Sequence, residues 1–181
     1  PCPPASRRCA TVSPTHPRPA HTSADFSNGL DSIASITLPE TVTTIGVNAF
    51  RGCTSLASIP LPECLTTIGG HAFHGCTSLA SITLPAGVTP IAGWAFWGCT
   101  SLESITLPEG VTTIKAGAFR DCSWLVAAVL PQSCGTIDEA TFKNCSHLSL
   151  VVAPDALEVR EYDEDEEDYI AGGSIANVFE G

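Results

Sequence analysis

Apolar residues recur along this chain with a period of 23. Phe50, Phe73, Phe96, Phe119 and Phe142 stand 23 positions apart, and so do Cys53, Cys76, Cys99, Cys122 and Cys145. Residues 57–79, ASIPLPECLTTIGGHAFHGCTSL, carry one full period. Within it Ile59 and Leu61 alternate with Ser58 and Pro60, the two-residue period of a short strand with one buried face. The other copies read Ser-Ile-Thr-Leu at 35–38, 81–84 and 104–107. A proline follows each time (Pro39, Pro62, Pro85, Pro108, Pro131, Pro154), and because it has no N–H it ends a ladder and predicts a turn. Val42, Leu65, Val88 and Val111 are then expected to point inward, as are Ile45, Ile68, Ile91, Ile114 and Ile137, and the Thr-Thr-Ile stretch between them is a candidate second strand. The Ala-Phe-x-x-Cys-x-x-Leu segment places apolar residues three apart, which predicts a single helical turn returning to the next strand.

A period between 20 and 50 residues predicts a solenoid, in which each repeat is one turn and buries its apolar face only against its neighbours. Three regions follow. Residues 1–24, rich in Pro, Ser, Thr and His, have no apolar period and are expected to be disordered or extended. Residues 25–154 form the solenoid, with five full repeats and partial ends. Residues 155–181 are a divergent sixth repeat: Pro154 and Phe179 are 25 apart where proline and phenylalanine are otherwise 11 apart. The extra residues hold the acidic run Glu161–Asp168, expected to be a solvated loop. Phe179-Glu180-Gly181 matches Phe50-Arg51-Gly52, so the array is read as cut mid-repeat, with more repeats expected to follow.

Composition sharpens this picture. At 44% hydrophobic and 15% charged residues, the chain is too apolar to be disordered throughout. The net charge of −11 is concentrated: residues 155–181 hold ten of the nineteen acids against one base, Arg160. The repeat body is close to neutral and contains two lysines, Lys115 and Lys143, so a nucleic-acid partner is disfavoured. No run of 18 apolar residues exists to span a membrane.

The residues Leu79-x-x-Ile82-x-Leu84-Pro85, followed by Ala95-Phe96-Trp97-Gly98-Cys99, resemble the unit of the BspA-like leucine-rich repeats. The likeness covers roughly residues 33–154. It departs from the common leucine-rich repeat in the column Thr41, Cys64, Gly87, Gly110, Ser133, which lacks an asparagine ladder. The resemblance implies a right-handed leucine-rich-repeat superhelix with one parallel strand per turn and a short strand or helical turn as the return. It also implies a protein-interaction or adhesion role at a cell surface, with no catalytic residues and no cofactor.

The Cys53–Cys145 column is read as buried, reduced thiols beside the phenylalanines, where cysteine acts as a small hydrophobe. Such a ladder points to a reducing compartment, against the surface location that the resemblance implies. Cys64 and Cys134 lie three repeats apart, beyond disulfide reach. Cys2 and Cys9 can pair within the first segment. His71, His74 and Cys76 look like a metal cluster, but Cys76 belongs to an inward column and the histidines to outward ones, so no metal site is assigned.

Outward columns are where a partner would meet this chain. The strand face shows small hydroxyl residues (Ser35, Ser58, Ser81, Ser104), a composition suited to exposed strands. The more pointed column is Arg51, His74, Trp97, Arg120 and Lys143, with Trp94 one turn along and Trp124 nearby. Tryptophan beside arginine is a hot-spot composition. Near-identical repeats offer no place where different catalytic groups converge. The expected function is therefore a non-enzymatic interaction or adhesion scaffold for a protein or glycan ligand. The alternative is a structural spacer presenting other domains.

Overall fold

The computed structural model describes residues 10–12, 32–163, 168–171 and 178–179. The chain coils into a parallel β-solenoid whose five regular rungs begin at Ile33, Leu56, Leu79, Leu102 and Leu125. Each rung has three sides, and a strand forms on two of them.

The dominant sheet is the one built from the Thr-Thr-Ile side. It has eight strands in the order β1 (Ala10–Val12), β2 (Val42–Ile45), β3 (Thr67–Ile68), β4 (Pro90–Ile91), β6 (Thr113–Ile114), β8 (Thr136–Asp138), β10 (Glu158–Asp163) and β11 (Asp168–Ala171). All pairs are parallel except the β10–β11 hairpin. Ile45, Ile68, Ile91, Ile114 and Ile137 register rung upon rung, and Val159 continues the column in β10. All six are buried.

The Ser-Ile-Thr-Leu side forms the smaller sheet, β5 (Ser104–Thr106), β7 (Ala127–Val129) and β9 (Leu150–Val152). Among the described residues rungs 1–3 contribute only the Ser35–Ser58 bridge. Pro60, standing where rung 4 has Thr106, supplies no N–H to extend the ladder there.

The third side corrects the expectation of a helical turn. Asn48, His71, Trp94, Asp121, Ala140 and Asn144 have positive φ, as do Gly52, Gly75, Gly98 and Gly117. A left-handed residue every few positions breaks helical propagation. Successive turns replace it: Ala49, Arg51 and Cys53 N–H groups donate three residues back, to Gly46, Asn48 and Phe50 carbonyls. The intervening Asn48, Phe50 and Gly52 N–H groups donate to Gly70, Ala72 and His74 in the next rung, at 3.1, 2.7 and 2.7 Å. Every side of the rung is thus bonded to its neighbour.

Between the sides lies a core of stacked columns. Phe50, Phe73, Phe96, Phe119 and Phe142 form a continuous pile with ring centroids 5.3–5.5 Å apart, and Phe179 adds to it at 6.1 Å from Phe142. The cysteine column does more than fill space. The thiols of Cys76, Cys99, Cys122 and Cys145 donate to the carbonyls of Phe50, Phe73, Phe96 and Phe119 at 3.1–3.2 Å. These carbonyls also accept the Cys53, Cys76, Cys99 and Cys122 N–H groups. The column is free of disulfides and buried except for half-buried Cys145. Burial pushes the Cys99 and Cys145 thiols up to about 12.

Two sequence expectations change, and one holds. Cys134 is free, so Cys64 and Cys134 are not paired, as their separation implied, and Cys64 is disulfide-bonded to a partner outside the described residues. It sits half-exposed on the proline corner, away from the buried column, so its sulfur is not committed to the core. The Cys2–Cys9 pairing also falls outside the described residues. Ala10–Val12, in the segment expected to lack structure, pairs with β2 and covers the first edge of the large sheet. The acidic insertion is a hairpin rather than a plain loop: Arg160, Glu161, Tyr162 and Asp163 pair with Ala171, Ile170, Tyr169 and Asp168, while residues 164–167 lie outside the described set.

Rung 6 is joined to rung 5 by a contact that the repeat pattern did not show. Asp138 and Thr141 are the buried polar side chains of the core. Arg160 grips Asp138 Oδ1 through Nε at 2.8 Å and through Nη2, while the Thr141 hydroxyl donates to the Asp138 carbonyl at 2.6 Å.

Candidate interaction ridge

The turns that carry Asn48 and Arg51 in rung 1 align into a ridge along the third side. Its two outward columns are Asn48, His71, Trp94, Gly117, Ala140 and Arg51, His74, Trp97, Arg120, Lys143. The rung spacing is close to the stacking distance of aromatic rings, so rings in neighbouring rungs lie flat on one another. His71 stacks on Trp94 with centroids 5.2 Å apart and planes 6° from parallel. His74 stacks on Trp97 at 4.4 Å and 11°. His71 and His74 are themselves 5.6 Å apart, so the four rings form one cluster.

The cluster continues into charge. The Arg120 guanidinium lies over the Trp97 ring, its Cζ 5.6 Å from the centroid, within cation–π range. Trp97 is therefore covered on both faces, by His74 and by Arg120, and presents its edge outward. The Trp97 indole N–H donates to Asp121 Oδ2 at 2.6 Å, and Asn144 Nδ2 donates to Asp121 Oδ1 at 2.6 Å. Arg120 lies 3.7 Å from the same carboxylate. Partial burial acts to raise the Asp121 carboxyl, but the Asn144 and Trp97 hydrogen bonds and the Arg120 and Lys143 charges outweigh it and hold it below its ordinary value. Asp121 is the side chain here that sequence reasoning missed. Its signal was its place one residue after Arg120, in the column of Gly52, Gly75 and Gly98.

Trp94 is held at φ 55° and His71 at φ 56°. A left-handed backbone costs a residue with a Cβ about 1–2 kcal/mol, and bulky side chains are uncommon there. The Trp94 ring has room because rung 4 has Gly117 below it: a Cβ at Gly117 would lie 2.6 Å from Trp94 Cδ1 and 2.7 Å from Nε1. Gly117→Ala is expected to expel the indole and destabilise the fold by about 1–3 kcal/mol, read as a lowered Tm with a shifted tryptophan emission. Trp94→Ala in the same chain should recover part of the loss.

Burial, then the Arg51 charge, lower the pKa of His71 and His74, with His71 adding to the effect on His74. The folded state thus binds fewer protons than the unfolded state between the lowered values and the ordinary 6.5. Stability is expected to be fully present above that window and to fall as pH drops through it. The double variant His71→Gln/His74→Gln should flatten the pH dependence of Tm between pH 7 and 5; an unchanged slope would assign it to other groups.

All six sequence candidates lie on this ridge, though they differ in setting. Arg51 and Trp94 are exposed; His74, Trp97, Arg120 and Lys143 are half-buried. Trp124 lies on a separate column. Among the described residues no group of three or more ligating side chains converges to hold a metal. None of the described helical segments is long and apolar enough to cross a membrane.

Residues 22–149 match the model of the BspA-type leucine-rich repeat region in six copies. The chain belongs to the BspA-type leucine-rich repeat family. Solved structures agree. A leucine-rich cell surface protein of Faecalibacterium prausnitzii A2-165 is 35% identical with a TM-score of 0.64, over 66% of this chain and 31% of that one. The leucine-rich repeat protein of T. pallidum is 30% identical with a TM-score of 0.58, over 67% of this chain and 71% of that one. One from Bacteroides ovatus is 31% identical with a TM-score of 0.56, over 71% and 39%. The chain thus spans less than a third of the F. prausnitzii protein and most of the T. pallidum one. No curated protein matches it at a significant level. The BspA-type chain is a repeat-built scaffold, with the ridge as its most differentiated surface.

Proposed function

We propose that this BspA-type protein is a non-enzymatic recognition scaffold that binds a protein partner through Arg51, His74, Trp94, Trp97, Arg120 and Lys143. The observation that carries the reading is the pair of aromatic residues, His71 and Trp94, held at positive φ. Elsewhere in that column Asn48 and Gly117 tolerate this backbone and Ala140 bears the same Cβ cost with no bulk beyond it, so His71 and Trp94 are the members that hold a large ring there. A strained backbone at a surface is grounds for a functional hypothesis, since strain without a role is readily lost. The ridge offers what a partner interface concentrates: indole edges and the Arg120 guanidinium, held rigid by stacking. The similar F. prausnitzii protein is a cell surface protein, which supports placing this chain at a surface as well.

The test is capture of partners from source cells with the wild-type chain and with an Arg51→Ala/His74→Ala/Trp97→Ala/Arg120→Ala variant, read by mass spectrometry. A protein retained by the wild type and lost from the folded variant supports the reading. A partner list unchanged by the substitutions would move recognition off the ridge, and an empty list would favour a spacer.

A further inference from the structure

A second stacked pair stands away from the ridge. Trp124 and His147 occupy the column that holds Ser55, Ser78 and Ser101 in the earlier rungs. Their centroids are 4.6 Å apart and their planes 7° from parallel. His147 is held by a 2.6 Å contact between its Nδ1 and the Ser123 carbonyl. Because the two rings stack across consecutive rungs, the ring normal of Trp124 runs along the solenoid. One face lies on His147 and the other looks back toward rung 3, where the column holds Ser101. A serine is too short to cover an indole, and Trp124 is 58% exposed against 39% for Trp94. Both ridge tryptophans have each face occupied; Trp124 has one face unused.

The slot in front of that face has an aromatic wall and a floor of hydroxyls. Thr77 and Thr100, beside Ser78 and Ser101, donate their hydroxyl protons to the Thr54 and Thr77 carbonyls at 3.4 Å, leaving oxygen lone pairs to accept. Among the described residues the Ser78 and Ser101 hydroxyls have no protein partner. His147 is the one ionisable side chain in these two columns.

We propose that Trp124, with Ser101 and Ser78, forms a binding site for a neutral hexopyranose unit of a glycan. The C–H face of a pyranose ring meets the negative face of the indole. Its hydroxyls pair with serine and threonine hydroxyls, which both donate and accept. An aromatic peptide side chain would fit the wall but cover the floor without pairing it, which is unfavourable for each hydroxyl desolvated. The two columns themselves carry no acid, and the exposed carboxylate of Glu103, two residues past Ser101, would repel an acidic sugar, so a neutral one fits better. This site is independent of the ridge and of the reading proposed for it.

Affinity electrophoresis of the full chain through native gels holding soluble neutral polysaccharides, of glucose, galactose or mannose units, tests the proposal. At least one gel should retard the wild-type chain. Trp124→Ala should weaken apparent affinity at least tenfold, whereas Trp97→Ala should leave it unchanged. Ser101→Trp should abolish retardation by filling the slot with a ring stacked on Trp124, with Tm not lowered, which separates loss of the site from loss of the fold. No retardation in any of the gels, undiminished binding by Trp124→Ala or Ser101→Trp, or saturable binding of a tryptophan-containing peptide in place of the sugars would each overturn the proposal.

Discussion

Phe96→Ala is expected to lower the stability of the folded chain by about 3–5 kcal/mol. The Phe96 ring is fully buried and stacked on both sides, 5.3 Å from Phe73 and 5.3 Å from Phe119, with planes 4° and 1° from parallel. Removing it opens a ring-sized cavity that hydrogen bonds on every side of the rungs hold open, because the rungs cannot close without breaking them. The carbonyl of Phe96 also accepts the Cys122 thiol at 3.2 Å, so a backbone shift would disturb the adjoining column. Phe50, stacked on Phe73 alone among the described residues and 4% exposed, should lose less on the same substitution. Urea unfolding followed by both circular dichroism and tryptophan emission measures the difference. A loss at position 96 below about 1 kcal/mol, far under the usual cost of such a cavity, would show that the rungs do collapse.

The second large effect belongs to the junction of rungs 5 and 6. Asp138→Ala is expected to cost about 3 kcal/mol, the low end for breaking a buried pair. The Asp138 side chain is 1% exposed and that of Arg160 21%, so the arginine recovers some hydration when its partner is lost. Arg160→Ala is expected to cost at least as much, because it strands a carboxylate whose Oδ2 already has no partner. The double variant should be more stable than the sum of the two losses implies, since the column holds the small residues Gly46, Gly69 and Ala92 in rungs 1–3 and the exposed Lys115 in rung 4, none of which needs a buried partner. Additive losses would show that the two side chains act independently.

The columns themselves were legible in the sequence, because a solenoid converts a 23-residue spacing directly into a stack. Phenylalanine, isoleucine and cysteine positions all came from that spacing. The return segment was not, because spacing by three fits a helical turn and a chain of β-turns equally well, and the difference lies in the sign of φ at residues such as His71 and Trp94. Gly52, Gly75 and Gly98 carried a hint of it. The relative weight of the two sheets turned on ladder bonding, to which apolar spacing is blind. Of the ridge, membership was readable but not mode of packing: Trp97 flanked by bases suggested an open indole, whereas His74 and Arg120 cover it. Asp138, Asp121 and the tie to Arg160 are departures from the repeat, and a reading based on the repeat passes over them.

Binding on the ridge rather than on the strand face is tested most directly by hydroxyl-radical footprinting of the full chain, with and without a captured partner. Oxidation of Trp94, Trp97, His71 and His74 is expected to fall on binding, while that of Leu150 and Val152, exposed on the smaller sheet, stays the same. Protection confined to Leu150 and Val152, with the four ridge rings oxidised as fast as before, would contradict the account.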